Sequence, residues 1–251
     1  MRRSLTALAV VAAGMLCIGA VSASAATYTV KVTESDVSPA GHWSRADTRP
    51  PGTGTFVAGP ATPPVGQGSF ELNTPLGPVI KPGAAKVQLL TNVFDRLPLR
   101  YVDGVGYSTF RHGDSTGFIA GDAALNIRVD LDGNGTTDAY MVYEPYQDFG
   151  NAAVLSDVWQ GWDSYRGGAA RWWISRGSPT CSQATPCTWS AIVALHPNAT
   201  IREGTDFQGS FGVNQGSNNP GVVSNADALY LSVFGQKVVF DFEPGSGHRD
   251  D

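Results

Sequence analysis

Apolar and polar residues alternate along Leu125-Asn126-Ile127-Arg128-Val129-Asp130-Leu131, so Leu125, Ile127, Val129 and Leu131 share one side. Strict alternation of this kind predicts a strand with one buried face. Ala139 to Glu144 reads as a second strand, stopped by Pro145. Between the two, Asp130-Leu131-Asp132-Gly133-Asn134-Gly135-Thr136-Thr137-Asp138 is expected to form the tip of a β-hairpin. The same reading predicts strands at Tyr28–Val32, Gly54–Val57, Ser69–Leu72, Lys86–Leu90 and Gly106–Phe110. Further strands are expected at Val158–Asp163, Ala170–Ile174, Phe207–Val213, Ala228–Phe234 and Lys237–Phe242, with Gly235-Gln236 as a tight turn between the last two. One segment reads as helix, Thr188 to His196, with Thr188 as its cap and Pro197 as its stop. Trp43 sits in a polar, proline-rich stretch and needs a place to bury, so Ser38 to Pro51 is expected to be an ordered loop. About a dozen short strands at close spacing and one short helix predict an all-β, two-sheet antiparallel sandwich or jelly roll.

Composition agrees. Of 251 residues, 30 are glycine and 16 proline, and only 16% are charged, which suits strands joined by turns and not helical bundles. The first residues read as a secretory signal: Arg2 and Arg3, an apolar run from Leu5 to Ala20, then small residues to Ala25. That run is too short for a membrane span. The mature chain is expected to start near Ala26 and to form one β-sandwich domain to residue 251, secreted and extracellular. Removing the signal takes away two of the 17 basic residues and none of the 22 acidic ones, leaving a net −7. An acidic, sparsely charged surface excludes nucleic acid and anionic membranes as natural partners, since both need basic patches. Cys181 and Cys187 remain after export, and the simplest expectation is a disulfide closing a small loop.

The hairpin tip supplies oxygen ligands in the order of a calcium loop: Asp130, Asp132, Asn134, the Thr136 carbonyl and Asp138, with Gly135 at the sharp turn. The twelfth position is Met141, so the bidentate glutamate of an EF-hand is missing, and the flanks are strands. Hard oxygens without sulfur or imidazole favour calcium, here in a structural role. The competing reading is an ordinary Asp/Asn/Gly turn, which selects the same residues. Asp227 is a distant residue that could complete the shell.

Five segments occur together and in order: Gly59-Pro60-Ala61-Thr62-Pro63-Pro64 with Gly66 and Gly68; Tyr107-Ser108-Thr109; Asp130 to Gly135; Trp159-Gln160-Gly161-Trp162-Asp163 with Trp172-Trp173; and Asn225 to Leu229 before Asp241-Phe242-Glu243. In this the chain resembles bacterial secreted domains related to the concanavalin A-like (laminin G-like) jelly rolls. The resemblance implies two stacked antiparallel sheets, with a concave face or rim loops available for glycans. It implies no activity, because fold alone does not set function.

A flat indole stacks on a pyranose, so the tryptophans are the candidate carbohydrate contacts. Within strands, Trp172 and Trp173 must point to opposite faces, and so must Trp159 and Trp162. Two of the four are expected in the core and two outside it. Trp162 with Asp163 and Tyr165 is the preferred contact, and Trp172 and Trp173 complete the candidate set. For catalysis, no Glu-x-Asp-x-Glu strand motif is present; Asp241 and Glu243 share a face but stand at a strand end before Pro244. The expected function is therefore non-catalytic binding of extracellular carbohydrate. The alternatives are a glycoside hydrolase or polysaccharide lyase, and a structural matrix or surface protein without a small ligand.

Overall fold

A computed structural model of the chain describes residues 25–76, 85–176, 180–202, 208–216 and 220–245. The expected signal segment up to Ser24 and the predicted strand start at Phe207 lie outside the described residues. In chain order the strands begin with β1 (Ala26–Val32), β2 (Trp43–Ser44), β3 (Thr53–Ala58), β4 (Gly68–Thr74) and β5 (Val87–Thr91). They continue with β6 (Val102–Arg111), β7 (Ala124–Asp130), β8 (Ala139–Tyr143), β9 (Trp159–Asp163) and β10 (Arg171–Ile174). The last are β11 (Cys187–Thr188), β12 (Thr200–Ile201), β13 (Phe211–Gln215), β14 (Val222–Val233) and β15 (Gln236–Phe242). Two short α-helices are α1 (Pro145–Phe149) and α2 (Trp189–Leu195).

The strands form a seven-stranded and an eight-stranded sheet packed face to face. In the first, β14 is the spine. Its N-terminal half pairs with β4 and its C-terminal half with β15, while β6 runs along its other edge and carries β9. The second sheet runs β11-β10-β8-β7-β13-β5-β2, with β12 paired to the end of β7. One pairing departs from an all-antiparallel sandwich: β1 lies parallel to β15, from Ala26 beside Gln236 to Val32 beside Phe242. The two strands come from opposite ends of the chain, so no hairpin turn forces them to run antiparallel.

The alternation does the sorting. Leu125, Ile127 and Val129 of β7, Met141 and Tyr143 of β8, and Trp172 and Ile174 of β10 are buried in the shared core. They belong to one cluster with Phe70, Leu72, Val105, Leu229, Leu231 and Phe240 from the other sheet. Each such side chain contributes roughly 1.5–3 kcal/mol by leaving water. Trp43 is buried as expected, within β2, its ring 5.0 Å from that of Phe240 and 5.4 Å from that of Phe242.

Three local features refine the sequence reading. The last hairpin turns on Phe234-Gly235, not Gly235-Gln236: Val233 pairs with Gln236, and φ is positive at both loop residues, 51° and 74°. Positive φ at both positions is the pattern whose twist suits a two-residue hairpin. After Glu144 the chain enters α1 directly, because proline at the first helical position gives up only an amide that would have no helical partner. The predicted helix forms as α2, with Thr188 Oγ1 accepting the Ala191 amide at 3.2 Å. Cys181 and Cys187 are joined, their Cα atoms 5.1 Å apart. No described helix is long and apolar enough to cross a membrane.

Candidate functional site

The alternation that sends Leu125 and Ile127 inward sends Asn126 and Arg128 to the outer face of the eight-stranded sheet. There Asn126 stands beside Val142 on β8, and Val142 beside Trp173 on β10, so one row of outward side chains crosses three strands. Tyr140 from β8 and Asn214 from β13 join them. Together with Arg49, Lys86, Phe118 and the start of α1 they line a cleft of about 630 Å³.

Trp173 gives the cleft its aromatic surface. Its indole Nε1 donates to Glu144 Oε2 at 2.9 Å. Tyr146 Oη and Gln183 Nε2 donate to the same oxygen at 3.2 and 3.1 Å. Burial, and next the Glu144 charge, push the Tyr146 phenol above its ordinary range. The chain has six tryptophans, and five pack against another aromatic ring: Trp43, Trp159, Trp162, Trp172 and Trp189. Among the described residues Trp173 has no aromatic neighbour of this kind, and it is half-buried where it lines the cleft.

Two amides stand across the sheet from it, on β7 and β13, two and three strands away. Asn126 is 5% exposed and Asn214 8%, and neither carboxamide oxygen has a hydrogen-bond partner among the described residues. A buried acceptor left unpaired costs about 1–3 kcal/mol. Both residues line the cleft, where a ligand hydroxyl would satisfy them.

The cleft also holds cations. Lys86 Nζ lies 2.6 Å from Asp47 Oδ2, and Arg49 Nε 2.8 Å from Asp47 Oδ1. Chiefly the Arg49 hydrogen bond holds the Asp47 carboxyl down at about 2, while burial lowers the Lys86 ammonium. The Tyr140 ring lies between Lys86 Nζ at 5.7 Å and the Arg128 guanidinium at 5.9 Å.

The predicted carbohydrate set is thereby broken up. Trp173 and Trp172 do point to opposite faces, but Trp172 is the inward one, fully buried with its indole donating to Ser164 O at 2.8 Å. Trp162 is corrected too: it is 6% exposed, and its Nε1 donates to Thr109 Oγ1 at 2.7 Å. The pairing of Trp162 with Tyr107, itself a core residue, turns the indole inward. Tyr165 is half-buried with its ring against Trp189. Asp163 accepts the backbone amides of Tyr165 and Arg166, on the opposite sheet from Trp173. None of these four can join Trp173 in stacking on one sugar.

At the hairpin tip, carboxylate oxygens of Asp130, Asp132 and Asp138 all lie within 4.8 Å of one another, a grouping that could hold a metal ion. Asp130 is 3% exposed and accepts the amides of Gly133, Asn134 and Gly135 at 2.7, 3.2 and 2.6 Å. Asp138 Oδ2 accepts the Leu131 amide at 2.7 Å. The oxygen of Asn134, expected as a ligand, is engaged by Thr136 through its amide and hydroxyl at 2.8 and 2.6 Å. Asp227 does not approach the tip. It lies on β14 of the other sheet and accepts the amides of Val65 and Phe242.

Asp241 lies near the end of β15 and Glu243 just beyond it, where Glu243 Oε1 accepts the amides of Gln67 and Gly68 at 2.5 and 3.1 Å. That carboxylate clamps the 59–68 loop. Of the residues that sequence reasoning passed over, Asn126 and Asn214 did leave one signal, polar side chains within otherwise apolar strands, whereas Glu144 follows β8 and Gln183 lies in the loop closed by the disulfide.

Fold and site together define a two-sheet β-sandwich with an aromatic, amide-lined cleft across one sheet. No protein-family model, no curated protein and no solved structure matches the chain.

Proposed function

We propose that the protein binds an extracellular carbohydrate in the cleft over the eight-stranded sheet, as a secreted binding domain. The observation that carries this reading is the half-buried ring of Trp173 in one cleft with the oxygens of Asn126 and Asn214, which have no partner among the described residues. An indole offers a flat apolar face for the C–H side of a pyranose, and amides and a carboxylate suit its hydroxyls. Among the described residues Glu144 is the sole carboxylate lining the cleft, whereas glycoside hydrolysis ordinarily takes two. We also assign calcium to the Asp130, Asp132 and Asp138 carboxylates, on the hardness of their oxygens, with the ion bracing the β7–β8 hairpin that floors the cleft.

The test is a glycan array probed with the mature protein and with Trp173→Ala. The expected result is retention of one glycan class that the variant loses while it melts as a folded protein. Retention by neither, or equally by both, would remove the cleft from consideration. Release of reducing ends or of unsaturated sugars from a retained glycan would make the protein an enzyme.

A further inference from the structure

We propose that the carbohydrate held in this cleft is acidic, and that Lys86 and Arg49 receive its anionic substituent. The inference rests on the glycan reading above and names the class of glycan. The chain as a whole is acidic, with 22 carboxylate side chains against 17 basic ones. Cations lining this cleft therefore run against the chain's average. Lys86, just before β5, is 9% exposed, and it stays buried although a lysine side chain is long enough to reach water. One carboxylate, Asp47, serves both cations. Its Oδ1 takes Arg49 Nε, and its Oδ2 takes Arg49 Nη2 at 3.1 Å and Lys86 Nζ at 2.6 Å.

That arrangement leaves a surplus. Two positive groups against one negative leave the Lys86–Arg49–Asp47 cluster with a net positive charge, before the Glu144 carboxylate elsewhere in the cleft is counted. An ammonium has three donors and a guanidinium five, so Asp47 occupies only part of their capacity. Lys86 is buried and the Arg49 side chain 48% exposed, and cations with spare donors are what a carboxylate or sulfate needs for charge-assisted hydrogen bonds. The Tyr140 ring lies 5.7 Å from Lys86 Nζ, which sets an apolar surface beside the cations. Glu144 serves the other need. Three neutral donors, Trp173 Nε1, Tyr146 Oη and Gln183 Nε2, converge on its Oε2, in a part of the cleft suited to uncharged hydroxyls. The ligand is thus oriented, with its anionic group at Lys86 and Arg49 and its hydroxyls toward Glu144.

The experiment measures affinity of the full chain for oligogalacturonate, for a sulfated galactan oligosaccharide, and for their carboxyl-reduced and desulfated counterparts. Lys86→Gln and Arg49→Gln are compared with Lys237→Gln, which removes a cation from the opposite sheet. At least one acidic ligand is expected to bind about tenfold tighter than its neutral counterpart. The margin should shrink to about twofold in Lys86→Gln or Arg49→Gln, to survive in Lys237→Gln, and to fall as salt is raised. Which acidic ligand keeps the margin identifies a uronate or a sulfate as its source. Equal binding of acidic and neutral partners overturns the inference and leaves the glycan reading standing. So does a margin untouched in both Lys86→Gln and Arg49→Gln. Binding of none of the four ligands, and of no glycan on the array, overturns both.

Discussion

Trp173 donates its indole Nε1–H to Glu144 Oε2 at 2.9 Å, tying β10 to the end of β8 on the outer face of the sheet. The bond ties down a ring that no other aromatic side chain among the described residues packs against. Its chain neighbour Trp172 is fully buried between Tyr143 and Trp189. Two adjacent tryptophans therefore divide the labour, one in the core and one in the cleft.

Their variants should separate accordingly. Trp172→Ala is expected to cost about 3–5 kcal/mol through the cavity it leaves. Trp173→Ala should cost only about 1 kcal/mol, as a half-buried outer-face position. Denaturant melts and glycan affinity measured on both variants check this. Trp173→Ala should lose affinity at least about tenfold while remaining folded, in the manner of an aromatic anchor. A large loss of stability in Trp173→Ala with unchanged affinity would reverse the assignment.

Acid should favour this fold at one buried carboxyl. Asp122 is pushed from 3.8 to about 6, mainly by burial, and takes a hydrogen bond from Thr109 Oγ1 at 2.5 Å. The folded chain holds this proton more tightly than the unfolded one. The stability it contributes is present below about pH 4 and is lost as pH rises toward 6. Asp122→Asn mimics the protonated form, since a Thr109 hydroxyl can accept from an amide as readily as it donates. Its melting temperature should match wild type near pH 4 and exceed it at pH 7.5. A constant offset across that range would show that Asp122 is not the group titrating.

Reduction of the disulfide should be mild for the fold and larger for the cleft. Closing so short a loop contributes about 2 kcal/mol on the chain-entropy account. A sandwich of this size should then melt roughly 4–8 °C lower after reduction. The Cys181–Cys187 loop also carries Gln183, which donates to Glu144 at 3.1 Å. Glycan affinity measured with and without reductant should fall along with the melting temperature.

At the hairpin tip, Asp130 and Asp132 should behave differently. Asp130 accepts three backbone amides, so Asp130→Ala should destabilise by about 1–3 kcal/mol even in chelator. Asp132 is exposed and serves only the local Asn134 turn. Asp132→Ala should leave the chelator melt nearly unchanged and abolish the calcium increment, expected at about 5 °C or more when calcium is well above its dissociation constant. A wild-type melt identical in calcium and chelator would dismiss the ion.

The sandwich was legible because alternation depends on neighbours in sequence. Leu125 to Leu131 and Ala139 to Tyr143 declare their inner faces without help from the rest of the chain. Likewise Trp172 and Trp173 had to part. Which of the two went inward depends on the register of β10 against β8, set by pairs such as Trp173 with Val142, and short patterns do not encode it. Trp162 misled for the same reason: its face is set by β6, whose Tyr107 lies opposite. The cleft was the least legible part. It assembles Asn126, Glu144, Trp173 and Asn214 from four separate segments, and only the closed sheet brings them together. By contrast the Asp130 tip is local, and its carboxylates converge as their spacing suggested.

The most direct measurement of the central claim follows the six tryptophan indole N–H resonances while a glycan retained on the array is titrated in. The cleft account predicts that the Trp173 signal moves most and that those of Trp172 and Trp189 stay where they are. Movement confined to Trp159 or Trp162, with Trp173 still, would contradict it.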